Sequence, residues 1–472
     1  MKHIKTLLLL SVLSVAFVAC DEDNQQPVID AGDELIGMTG ETTDLIVTVN
    51  DPDGDAFQLT WNVIESPSGA TPEIENTSNT QATFLTEVAG MYQLEVVVED
   101  GKGGMASDML TLYISGALPR SIDETTVYPD VFEDASIPDY FAMENVTINA
   151  RVTFEPGVIV ESESDVYIHV AGSSASLTAE GTTSQRILFT GIDKVKGSWR
   201  GISISSSSVN NKLDYVDVMY AGSSDIGDTK TSVFMKSNTD TKLSITNTNI
   251  SESDGYAFTT DGDDAVLTAF ENNNFSNNEL APLQIGGENL YALDETSVFS
   301  DNGIQAVEII SRSVSFDNPG TISYSSLPLH FYGEAHLRST VTFSEGVECH
   351  FDAGLRLWVT NEGAIIAEGT SGNEVIFSGM DEAPGAWKGI ELDSPSTLNK
   401  LDFCHIEYGG STGGRGANIY MFGSSNGSYL SLSNSYVGDS QTYGIYRASG
   451  STTLNTSSVT YANNSSGDIY EE

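Results

Sequence analysis

Five acidic residues fall in two short stretches that a small fold can bring together: Asp51, Asp53 and Asp55 alternate in NDPDGDA, and Glu99 and Asp100 close the run YQLEVVVED. Loop carboxylates of this kind are the usual oxygen ligands of Ca²⁺, so these five form the candidate calcium site. The stretch is not an EF-hand, because Ala56 stands where that loop needs Gly and Asn62 where it needs Glu; a pair of Asp-Gly turns is the competing reading. A second group suits sugars. Trp199 and Arg200 in GSWRGI, and Trp387 and Lys388 in GAWKGI, pair an aromatic face with a cation, and Trp358, Tyr220 and Tyr408 add aromatic surface; because both tryptophans sit in the repeat signature, packing over a coil corner is the reading they favour. A third group suits proton abstraction next to a carboxylate, the step of a polysaccharide lyase: Lys194, Lys196, Arg200 and Lys212, echoed by Lys388 and Lys400, are the densest basic region in an acidic chain. A glycosidase needs two spaced carboxylates, and with 67 acidic residues that requirement selects nothing. His169, His330, His336, His350 and His405 show no metal-ligand spacing, and no nucleophile elbow, P-loop or dinucleotide fingerprint is present.

The elements that must position these residues are set by a duplication. AEGTTSQRILFTG at 179 returns as AEGTSGNEVIFSG at 367, GSWRGI at 197 as GAWKGI at 385, and NKLDYVDVMYAGSS at 211 as NKLDFCHIEYGGST at 399, all offset by 188, with 17 of 33 positions identical. A finer period of about 24 residues places Ile250, Phe275 and Phe299 in one row and Phe258, Leu283 and Val307 in another. Two-residue alternation recurs and helical periodicity does not. The pattern predicts an all-β chain: a right-handed parallel β-helix of about fifteen coils over 124–472, with half-repeats at about 136–324 and 325–472. Asn247, Asn249, Asn274, Asn277, Asn278, Asn302, Asn434, Asn463 and Asn464 are expected at turns and in ladders. Cys349 and Cys404 fall opposite Val160 and Val216 in the duplication and read as small core residues, more than two turns apart. Asp468, Glu471 and Glu472 read as a charged guard on the last strand edge, keeping the chain monomeric.

Ahead of this, residues 27–116 carry DLIVTV, FQLTWNV, ATFLT, YQLEVVVED and LTLYIS between turn signals, which predicts a small antiparallel β-sandwich; residues 117–123 read as a linker. Residues 1–20, MKHIKTLLLLSVLSVAFVAC, join Lys2 and Lys5 to an apolar run too short to span a bilayer, the form of an export signal. A net charge of -47 repels nucleic acid and anionic lipid and argues against both as partners.

Three resemblances follow from these residues. Phe17-Val18-Ala19-Cys20 resembles a bacterial lipobox, which implies lipidation of Cys20, a tether at 21–26 and a cell-surface position on the outer membrane; Asp21-Glu22-Asp23 is similar to the surface-export signal of Bacteroidetes lipoproteins. PVIDAG, NDPDGDAFQLTWNV, ESPSGA and AGMYQLEVVVEDGKGG resemble PKD-like and cadherin-like immunoglobulin modules, which implies a spacer or weak glycan-binding unit. The VTF-x-x-GV, AEGT, GxWxGI and NKLD blocks resemble the β-helix lipoproteins of Bacteroidetes within the pectate-lyase-like superfold, a fold that hosts lyases, hydrolases, adhesins and stalks. The combined expectation is a lipid-anchored stalk or glycan-binding adhesion protein, with a polysaccharide or surface protein as partner and calcium as the only cofactor considered; the alternative is a polysaccharide-active enzyme, a lyase before a hydrolase.

Overall fold

The computed structural model describes residues 24–472 apart from 238, 239, 311, 312 and 412–415. The export signal, Cys20 and the first half of the tether lie outside the described residues. The chain divides after Ile114 into two units.

The first unit is antiparallel. Gly90–Glu99 lies between Gln58–Glu65 and Met105–Ala117, and its alternation turns Tyr92, Leu94, Val96 and Val98 inward. A three-stranded sheet of Thr43–Ile46, Gln81–Leu85 and Glu73–Glu75 supplies Leu45 and Phe84 to the same core. The run expected as one strand, DLIVTV, is two: Thr43–Ile46 pairs with Gln81–Leu85, whereas Thr48–Asn50 pairs with Val28–Asp30. Tyr92 packs edge-on against Phe84 at 5.1 Å and donates its hydroxyl to Val88 O at 2.7 Å, which pins the corner before its strand.

The second unit is a parallel β-helix with three faces. The first face is an unbroken sheet of fourteen strands from Ser121–Ile122 to Thr460–Ala462. The second runs through six strands from Thr126–Tyr128 to Val266–Glu271, then a 3₁₀ turn at Gly287–Ala292, then seven strands from Ser313–Phe316 to Gly467–Glu471. The third runs from Tyr140–Ala142 to Val298–Ser300 and resumes at Gly320–Ile322. The predicted rows are observed as register partners, Ile250 with Phe275 with Phe299 and Phe258 with Leu283 with Val307. Each such side chain, fully buried, stabilises the stack by about 1.5–3 kcal/mol.

The fourteen strands of the first face agree with the expected count of about fifteen coils, although coil length varies from 20 residues, Leu329 to Cys349, to 34, Ile168 to Ile202, as turns lengthen. Two expectations need correction. Residues 117–123 do more than link: Leu118 and Ile122 are buried, and Ser121–Ile122 pairs with Thr147 and Ile148. Cys349 and Cys404 are buried free thiols, as expected, but they lie two rungs apart, joined through Phe377 and Val375 of the strand between.

The duplication is turned about the helix axis. Tyr167–Ala171 is the third strand of the first face, while its repeat partner Arg356–Val359 lies on the second face, directly after the tenth first-face strand, Glu348–Phe351. The 188-residue offset therefore spans seven coils and one further face.

Of the nine asparagines, Asn247, Asn277, Asn434 and Asn463 have positive φ, where the short amide is tolerated. Asn278 and Asn302 are buried and form a ladder, Nδ2 of Asn278 donating to Oδ1 of Asn302 at 2.8 Å. Aromatic residues also occupy left-handed turns at equivalent positions, Tyr215 with Phe403 and Tyr220 with Tyr408.

Candidate functional site

The acidic loop of the first unit is held by its own atoms. Asp51, Asp53 and Asp55 each offer an oxygen within 4.8 Å of the others. Asp51 Oδ1 accepts the backbone N–H of Asp53 at 3.0 Å and of Asp55 at 3.1 Å, closing the turn. Asp53 accepts Gln25 N–H at 2.7 Å and Gln25 Nε2 at 3.1 Å, and Lys102 Nζ lies 2.8 Å from Asp55 Oδ1, a pairing that raises the lysine above its ordinary range. Asp51 Oδ2 is buried without a partner. Of the expected five, Asp51, Asp53 and Asp55 come together, while strand alternation turns Glu99 to the outer face and Asp100 bonds within its own turn. Glu99 is exposed on the outer face opposite Gln58 and Met105. Asp100 is 3% exposed and turned into its own hairpin, taking Asn24 Nδ2 at 2.7 Å, Lys102 N at 2.7 Å and Gly104 N at 2.9 Å; the Asn24 bond above all holds its carboxyl below the usual range.

The tryptophans of the repeat are core residues. Trp199 and Trp387 are 0% exposed, and their indole N–H groups donate to Met219 O at 2.7 Å and Glu407 O at 2.8 Å. Trp387 also stacks on Phe351 at 4.7 Å. With no face open to solvent they cannot stack on a sugar, and that expectation is withdrawn.

The basic residues are clamped. Lys194 pairs with Glu161 at 2.6 Å, Lys196 with Glu279 at 3.4 Å, Arg200 with Asp165 at 2.6 Å, Lys388 with Glu334 at 2.9 Å, Lys400 with Glu368 at 2.7 Å, and Lys212 with Glu180. The hydrogen bonds that Lys212 and Lys400 donate to Glu180 and Glu368 hold their ammonium groups above the ordinary range. A general base must shed its proton near neutrality, so these shifts run the wrong way for a lyase base. At the last coil, Glu471 pairs with Arg447, and Glu472 accepts Ser449 N–H at 3.3 Å; the expected guard is tied to the coil before it.

The histidines are paired rather than lone. His330 and His350 are register partners with rings 5.8 Å apart, His336 lies edge-on to Trp358 at 5.2 Å, and His405 to Tyr436 at 4.3 Å. His169 Nδ1 sits 3.2 Å from Ser203 Oγ. Beside that pair a cavity of about 270 Å³ opens next to Arg200. Tyr167, Ser203, Phe234 and Lys236 line it, and sequence reading singled out none of the four. They are scattered over three strands, and only the register brings them together.

Residues 24–113 match the family model of a bacterial Ig domain, which agrees with the antiparallel first unit. Among solved structures, a nucleoside hydrolase-related hypothetical protein from Saccharophagus degradans, described as associated with carbohydrate metabolism, is 23% identical over 20% of this chain and 26% of its own, with a TM-score of 0.18. The PKD domain of human KIAA0319 is 17% identical over 22% of this chain and 93% of its own, with a TM-score of 0.18. The PKD domain from KIAA 1837 protein is 19% identical over 20% and 92%, with a TM-score of 0.17. No curated protein matches the chain.

Proposed function

We propose that this chain is a lipoprotein of the outer-membrane surface, anchored through lipid on Cys20, that binds a polysaccharide or a surface protein and does not alter it. The observation that carries the reading is that a bacterial Ig unit and a parallel β-helix, whose stacked coils offer three broad faces, occur in one chain. Ion pairing of the cations that a lyase would need supports binding over catalysis. The anchor rests on residues 1–20 and the acidic residues 21–23, with contact to the membrane through lipid alone; more than one acyl chain gives stable attachment. The charge of -47 supports the absence of nucleic-acid partners, and the protein acts as a monomer. The test is fractionation and surface proteolysis in the native host. Wild-type protein is expected in the membrane fraction and cleaved on intact cells, and Cys20→Ala protein outside that fraction. Wild-type protein recovered in the soluble fraction without detergent contradicts the anchor.

A further inference from the structure

The chain carries twenty lysines and arginines, of which Lys2, Lys5, Arg312 and Arg415 lie outside the described residues. Of the sixteen that remain, thirteen form ion pairs with carboxylates. Arg151, Lys236 and Lys242 have none among the described residues. In a protein this acidic a cation left without a carboxylate is the exception, and of these three Lys236 lines the cavity beside His169 and Ser203.

That cavity sits on the first face, over Tyr167–Ala171, Gly201–Ser205 and Thr231–Met235, three strands paired in register. Tyr167 and Phe234 give it apolar surface, Ser203 and His169 give hydroxyl and imidazole, and Asp261 and the exposed Asp225 add carboxylates. The loop above is shaped to the floor. Ile226 and Thr229 form a bridge, and Gly227, at φ +71, comes so close to Phe234 that a Cβ there would lie 2.9 Å from the ring. Arg200 stands over Tyr167 at 5.3 Å while bound to Asp165, so its charge is already met.

The duplication supplies an internal comparison. The same register in the second copy puts Arg356 where the first has Tyr167, Trp358 where it has His169, Glu391 where it has Ser203, Tyr420 where it has Phe234, and Phe422 where it has Lys236. There the side chains satisfy one another. Arg356 Nη1 meets Glu391 Oε2 at 2.5 Å and the guanidinium lies 4.5 Å from the Trp358 ring centre, while Tyr420 and Phe422 pack edge to face at 4.6 Å. The second copy brings its own carboxylate, large ring and matching cation. The first copy has a hydroxyl in place of the carboxylate, a smaller ring, a free cation and open space.

We infer that the first-copy cavity binds a single sugar ring bearing a carboxylate, whose anionic group pairs with Lys236 and brings from outside the carboxylate that the second copy carries as Glu391, there paired with Arg356 at the Tyr167 position. Tyr167 meets the ring's apolar face, with the buried Phe234 forming the floor beneath the loop, and Ser203, His169 and the two aspartates meet its hydroxyls. A volume of about 270 Å³ suits one ring rather than a length of chain, so the ligand is a free sugar acid or the terminal residue of a glycan. This deepens the glycan-binding reading and rests on it.

The test is titration of the purified chain with glucuronate and with its neutral isostere glucuronamide, followed by calorimetry or ligand-observed NMR. Glucuronate is expected to bind saturably and at least about tenfold more tightly than the amide, a difference equal to about 1.4 kcal/mol. Lys236→Met is expected to erase that preference. Ser203→Glu, which gives the first copy the second copy's carboxylate, is expected to lower glucuronate affinity at least about tenfold, with melting as the check on folding. Equal affinity for the two probes, no saturable binding of glucuronate, or binding unchanged in Lys236→Met overturns the proposal. Should wild type and Ser203→Glu bind a larger glycan equally well, the pocket assignment falls while the glycan-binding reading stands.

Discussion

Asp51 holds its loop with one oxygen, which accepts two backbone N–H groups, and leaves the other buried without a partner. Loss of the acceptor strands two donors, so Asp51→Ala should destabilise the first unit by about 1–2 kcal/mol even with chelator present, and Asp51→Asn, which keeps an acceptor oxygen, by much less. Chemical denaturation with chelator and with Ca²⁺ separates the readings: a loop built around calcium would show the Asp51→Ala deficit only when the ion is present. Asp165 gives a pH signature. The Arg200 bond first, then Ser224, holds its carboxyl down to about 2. A folded value depressed below the unfolded one of about 3.8 means that its stabilisation is complete above that pH and is lost as pH falls toward about 2. Asp165→Asn should therefore flatten the acid limb of a melting-against-pH curve in that window. Because the side chain is 49% exposed, the difference should shrink in high salt; an unchanged acid limb counts against the pairing.

At the scale of elements, the contrast between buried and surface members of the GxWxGI block is testable. Trp387→Ala removes a stacked, hydrogen-bonded core ring and should cost about 3–5 kcal/mol, whereas Lys388→Ala breaks a surface ion pair and should cost under about 1 kcal/mol. A sugar-binding tryptophan would behave differently, losing ligand while keeping its melting temperature. The Asn278 ladder should be similarly demanding. Its amide donates to Ile250 O at 3.2 Å and to Asn302, while Oδ1 accepts Ser253 N–H at 3.1 Å; Asn278→Ala should cost about 2–3 kcal/mol by leaving those groups unsatisfied in a buried place. The rows of this helix were legible because alternation and a near-constant coil bring Ile250, Phe275 and Phe299 to equal spacing in the sequence. The burial of Trp199 and Trp387 was legible in the same way, since both hold the same place in the GxWxGI block of the two copies. Glu99 and Asp100 were grouped by sequence proximity, and the pleat parted them.

At the scale of the whole molecule, the sequence revealed two copies but not their rotation, because an offset of 188 residues fits eight coils of about 24 as readily as seven longer coils and one face. That turn puts equivalent positions on neighbouring faces and leaves the two copies free to diverge, one self-satisfied and one open. The open one escaped sequence reading because Tyr167 and Ser203 lie at ordinary strand positions, Lys236 just past the end of a third strand, and only their register joins them. The central claim is binding without chemistry, and it is tested by incubating the purified protein with a panel of acidic and neutral glycans while following both retention on the protein and the integrity of each glycan. The account predicts saturable retention of at least one glycan with no new reducing ends and no unsaturated products. Accumulation of either product at a rate that scales with protein concentration would contradict it.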